Sequence, residues 1–139
     1  MRIKIEVNTR ERSPAEPVEL VAYSVDPPWW FGSAEVRTFT SRELVATKIR
    51  ALYQRKGRDL FDLWLALTEL SITGDEILEV FGPYRPDKLT AGLAEQNLRA
   101  KIADDEFRSD LDAYLTEPPE AYNVEDAAEL VITNVLRKL

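Results

Sequence analysis

Between Leu44 and Leu67 the chain reads LVATKIRALYQRKGRDLFDLWLAL, an apolar stretch with cations and carboxylates set among its leucines. Lys48 lies four residues after Leu44 and four before Leu52, so on a helix all three share one stripe. A lysine there must snorkel past its neighbours or meet an anion. Arg55 follows seven residues on, two turns along the same stripe. Two cations roughly 10 Å apart by helix rise can grip a triphosphate. They can equally pair with Asp59 and Asp62 on the next helix and lock a helical hairpin. Those two acids are three residues apart and so face one way. Both fall in a first helical turn, where the macrodipole favours carboxylates, and Arg58 can pair with Asp62 at four-residue spacing. Asp62 sits among Phe61, Leu63, Trp64 and Leu65, a setting in which a carboxylate requires a cation or a metal. Far upstream, Glu6 stands between Ile5 and Val7, with Lys4 on the same side of an alternating segment.

Two look-alikes fail. The Phe31-Gly32-Ser33 turn resembles a nucleotide-binding Gly-Ser, but no acid–x–acid pair follows it within a dozen residues. Asp110 and Asp112 resemble a metal-binding pair, yet on a helix they diverge by roughly 200° and read as a solvated face.

The elements that must position these groups change character once. RIKIEVN (2–8), VELVAYSV (18–25) and AEVRTFT (34–40) have strand character, with the loop DPPWWFGS (26–33) between the last two. From Thr40 onward the period is helical. Thr40 with Glu43 forms a capping box for a first helix, which the Lys56-Gly57 pair breaks. Further helices are expected over 58–70, from Thr73 to the Phe81–Tyr84 break, over 90–102, over 105–115, and from Asn123 to Leu139. The expected fold class is α+β, one domain over 1–139: about three strands in residues 1–40, then a bundle of about six helices in 41–139. Three strands make a thin sheet. One face can pack on the helices, while a bare edge calls for strands from a preceding segment or for a partner chain, a homodimer included.

Composition narrows the chemistry. Among the 139 residues there is no cysteine and no histidine, which excludes disulfides, structural zinc, thiol nucleophiles and imidazole bases. Any metal must take hard oxygen ligands, as magnesium or manganese does. The N-terminus lacks the apolar run of a secretory signal and no stretch reaches the roughly 20 apolar residues of a membrane span, so a cytoplasmic protein without membrane contact is expected. The first 60 residues carry +3 and the rest −10, summing to −7, so non-specific nucleic-acid binding is not expected.

IKIEV, then RTFTSRELVATKIRALYQRKGRDLFDLWLAL, then FRSDLDAYL resemble the AbiEii/AbiGii-like abortive-infection nucleotidyltransferase toxins. The resemblance implies part of a DNA-polymerase-β-like nucleotidyltransferase fold with a helical C-terminal portion, acting as the toxin half of a bacterial toxin–antitoxin system. It implies a nucleoside triphosphate, Mg2+ or Mn2+, and a cognate antitoxin. By position, Lys4 and Glu6 match the family's Lys-x-acid strand, Glu6 standing as a metal ligand. Lys48 matches the helix lysine near the nucleotide, and Arg58, Asp59 and Asp62 match its Arg-Asp-x-x-Asp. The catalytic pair implied is Lys48 and Asp59, with Lys4, Lys48, Arg55 and Arg58 on the nucleotide and Asp62 in support. The family's first motif, a Gly-Ser turn followed by Asp-x-Asp, is not in this sequence. The expectation is therefore the C-terminal part of such a protein, catalytically inactive alone. The rival expectation is a non-catalytic module that binds an antitoxin or itself through the acidic helices of 90–139 or the Pro27–Phe31 loop with Trp29 and Trp30.

Overall fold

The computed structural model describes residues 13–26, 31–54, 57–112, 115, 117 and 119–139. Its elements run β1 (Glu19–Val25), β2 (Gly32–Thr38), α1 (Ser41–Gln54), α2 (Arg58–Thr68), α3 (Gly74–Glu79), α4 (Ala91–Lys101), α5 (Asp105–Ser109) and α6 (Val124–Asn134). Short 3-10 turns follow α3 at Gly82–Tyr84 and α6 at Leu136–Lys138. The α+β class and the strands-then-helices order hold. Two strands are present among the described residues, where about three were expected; the candidate over 2–8 lies outside them.

β1 and β2 pair antiparallel, Val21 opposite Val36 and Tyr23 opposite Ala34. Side chains alternate along a strand, so Val21, Tyr23 and Val25 share one face with Ala34 and Val36. That face was expected to pack on the helices, and it does not. Val21 is 45% exposed, Val36 46% and Tyr23 61%. The reason is that the helices bury one another. The core cluster is drawn wholly from residues between Val45 and Leu136, with Phe39 packed at its margin.

Helical periodicity explains that core. Val45, Ile49 and Leu52 of α1 meet Leu60, Leu63 and Trp64 of α2, and α2 in turn packs on Ala128, Val131 and Ile132 of α6. α3 and α4 close over α1. Thr73 and Glu76 form the expected capping box of α3, and Asn123 caps α6 by accepting from the Asp126 N–H.

Some boundaries and one cap differ from expectation. α5 stops at Ser109 instead of 115, because Asp110 turns inward to a backbone partner described below. α6 ends at Asn134, where Val135 leaves helical geometry (φ −124°, ψ −63°) before the final 3-10 turn. At the start of α1 the Glu43 N–H meets the Thr40 hydroxyl at 3.4 Å, but Glu43 does not reach back to complete a capping box. It is fully buried, while Leu44 beside it is 43% exposed. Its carboxylate accepts from the Tyr84 hydroxyl at 2.6 Å and from the backbone N–H groups of Ala15 and Glu16. Glu16 is tied in turn to Arg42 and to the Thr40 hydroxyl, strapping the chain ahead of β1 onto α1. Among the described residues no helix is long and apolar enough to cross a membrane.

Candidate functional site

Three of the residues singled out by spacing converge. α1 and α2 run side by side, and Lys48, at the edge of the apolar stripe of α1, reaches across to α2. Its Nζ lies 2.7 Å from Asp62 Oδ2 and 3.4 Å from Asp59 Oδ1. Position along α2 separates the two acids. The Asp59 side chain is 4% exposed, whereas those of Asp62 and Lys48 are 38% and 36% exposed. The result is a half-exposed charge cluster between α1 and α2, with one carboxylate buried, one partly exposed and an ammonium between them.

Asp59 is the unusual member. Its second oxygen, Oδ2, is buried and has no hydrogen-bond partner. A carboxylate so placed loses hydration that protein groups do not replace. Burial accordingly raises its pKa above the ordinary carboxylate value, further than Lys48 lowers it. For Lys48, burial disfavours the charged form, but the Asp62 hydrogen bond with the charges of Asp62 and Asp59 outweighs it, and the pKa is raised. Lys48 is thus held as an ammonium. An ammonium has three donors, and two point at Asp62 and Asp59. The third can serve an anion arriving from solvent, such as a phosphate oxygen.

Another part of α2 is aromatic. The Phe61 and Trp64 rings stack at 5.6 Å between centroids, and Tyr122, just ahead of α6, meets both edge-on at 5.1 and 5.2 Å. Burial pushes the Tyr122 hydroxyl up to about 12. These ring contacts hold α2 against the start of α6.

Arg58 precedes Asp59 at the start of α2, and its backbone N–H donates to Asp110 Oδ2 at 3.1 Å. Lys4, Glu6 and Arg55 lie outside the described residues, as do Trp29 and Trp30. Asp110, expected on a solvated face, is instead half-buried and in use. No local pattern signals a contact spanning 52 residues.

A family model described as Nucleotidyl transferase AbiEii toxin, Type IV TA system, matches residues 1–130. The chain belongs to the AbiEii toxin family. It is therefore a nucleotidyltransferase-like protein of the toxin–antitoxin, abortive-infection type. No curated protein and no solved structure matches the chain. The AbiEii family implies a divalent metal and a nucleoside triphosphate, which sets a test for the cluster. Among the described residues no group of three or more carboxylates could hold a metal ion. Asp59 and Asp62 share the Lys48 ammonium, which stands where a cation bridging them would. Asp59 and Asp62, with that ammonium between them, do not by themselves fit the metal.

Proposed function

We propose that Lys48 is the phosphate-binding group of a nucleotidyltransferase site, held charged and aimed by Asp59 and Asp62. What carries this reading is that half-exposed Lys48 meets both acids of the Arg-Asp-x-x-Asp motif, in a chain of the AbiEii family. Asp59, sunk beneath Lys48, acts by position and charge. Arg58 adds a second cation, and the sequence pattern assigns Arg55 and Lys4 to the nucleotide and Glu6 to the metal. With no Gly-Ser turn followed by Asp-x-Asp in this sequence, Glu6 alone does not supply the carboxylates that Mg2+ or Mn2+ needs, and the chain does not transfer nucleotides by itself.

The experiment is a calorimetric titration of wild type and Lys48→Met with ATP, CTP, GTP, UTP and inorganic tripolyphosphate. Weak binding shared by all five, and at least about tenfold weaker in Lys48→Met, is the expected result; tenfold corresponds to about 1.4 kcal/mol. Equal binding by both proteins would remove Lys48 from the phosphate role.

One observation favours a second reading, a protein-binding module that contacts an antitoxin or a second copy of itself. The apolar face of β1 and β2 is exposed at Val21, Tyr23 and Val36, and among the described residues the two strands pair only with each other, leaving edges of the kind that accept another strand. Light scattering across a concentration series tests self-association. A monomer at every concentration, with Val21→Lys indistinguishable from wild type in antitoxin capture, would discard this use of the ribbon.

A further inference from the structure

The cluster depends on a joint that cannot hold itself. α2 begins at Arg58 with Gly57 as its N-cap, and glycine has no side chain to accept from the first free N–H groups. α1 ends at Gln54 with no basic residue in its last turn to meet its terminal carbonyls. Both needs are met from more than 40 residues away. Lys101, the last residue of α4, donates from Nζ to the Leu52 carbonyl and, at 2.7 Å, to the Tyr53 carbonyl. Asp110, just past α5, accepts from the Arg58 N–H at 3.1 Å. The signs are the ones the helix dipoles favour, a cation at the C-terminus of α1 and an anion at the N-terminus of α2.

Between these two contacts the backbones touch. Gly57 is buried, and a Cβ there would lie 2.0 Å from the Phe107 carbonyl oxygen and 3.2 Å from Asp110 Cβ. The joint has no room to slide. Asp59, the residue after the clamped N–H, meets Lys48 at 3.4 Å, near the limit of a hydrogen bond. A rotation of the first turn of α2 by a fraction of an ångström would part them.

We infer that Lys101 and Asp110 are positioning residues, clamping the joint of α1 and α2 so that Lys48, Asp59 and Asp62 stay converged. The inference rests on taking that cluster as the functional site. It adds that Lys101 and Asp110, from the helical segment after α3, set their geometry.

The test uses the whole chain with Asp110→Ala, Asp110→Asn and Lys101→Gln. Asparagine keeps an oxygen acceptor for the Arg58 N–H, and alanine does not. Amide exchange at Arg58 and the pH titration of the Lys48 side-chain resonances are read by NMR, with tripolyphosphate affinity alongside. In Asp110→Ala, exchange at Arg58 is expected about tenfold faster. Its Lys48 titration falls toward that of an exposed lysine, and tripolyphosphate affinity drops several-fold. Asp110→Asn restores all three. An Asp110→Ala protein that melts lower yet keeps the wild-type Lys48 titration would overturn the inference, leaving Asp110 a helix cap and nothing more. Should Asp110→Ala not fold, Lys101→Gln decides on the same signal: a lowered Lys48 titration supports the clamp, and an unmoved one overturns it. The outcomes separate cleanly. A wild-type tripolyphosphate affinity in Lys48→Met sinks the phosphate site, whereas the Lys48 titration judges the clamp alone.

Discussion

Replacing Lys48 with methionine removes the ammonium that hydrogen-bonds Asp59 and leaves a carboxylate that is 3% exposed and already short of one partner. The cheapest escape for such a group is to take up a proton. For a carboxyl of ordinary pKa 3.8, staying protonated at pH 7 costs roughly 4 kcal/mol, at about 1.4 kcal/mol per intervening pH unit. That is a ceiling. Lys48 and Asp62 are each more than a third exposed, so water screens the pair and about half the ceiling, ~2 kcal/mol, is expected. For a chain of this size, ~2 kcal/mol lowers Tm by about 6 °C. At pH 5 the ceiling is roughly 1.6 kcal/mol, and after the same discount the fall is about 2 °C. Circular-dichroism melts of wild type and Lys48→Met at both pH values measure the difference. Lys48→Met/Asp59→Asn, which removes the buried charge as well, is expected to recover most of the loss at pH 7. A Lys48→Met deficit that is the same at pH 5 and pH 7, or is absent at both, would refute an ionised Asp59 that depends on Lys48.

Three further outcomes follow from other contacts. Gly57→Ala is expected to cost about 3 kcal/mol or more in urea unfolding, because its Cβ meets a backbone carbonyl that cannot swing aside, while the αR backbone at φ −62° accepts alanine. Glu43→Ala strands the Ala15 and Glu16 N–H groups and the Tyr84 hydroxyl, at an expected ~3 kcal/mol, and limited proteolysis should then cut near residues 13–17 much faster than in wild type. Acid should weaken the fold in a defined window. Hydrogen bonds from Arg42 and Thr40 hold Glu16 down to about 2, and those from Arg137 and Arg99 do the same for Glu95. A depressed carboxyl stabilises the fold above its ordinary value of 4.5 and loses that contribution as pH falls toward about 2, so Tm should decline across that interval and level out above it.

How much of this was legible in the letters depends on range. Lys48, Asp59 and Asp62 could be placed together because helical spacing is local and the sequence signals a break between two helices that pack side by side. The caps of α3 and α6 were legible for the same reason. Glu43 misled because a capping-box glutamate and a glutamate serving a distant strap look identical over four residues. Asp110 and Lys101 were invisible because the carbonyls and N–H they serve belong to every residue alike. The strand character of the two segments was legible too, but it reports only that a face is apolar, not that this chain covers it.

That last point has a corollary for how the molecule can vary over time. Since the core cluster takes nothing from β1 or β2 among the described residues, folding places little constraint on the outward letters of the two strands. Drift there is free to follow whatever surface the ribbon meets, and a new partner could be acquired by changing a handful of codons while the helices keep their packing. Exchange of that ribbon between relatives should thus transplant recognition without disturbing the machinery on α1 and α2.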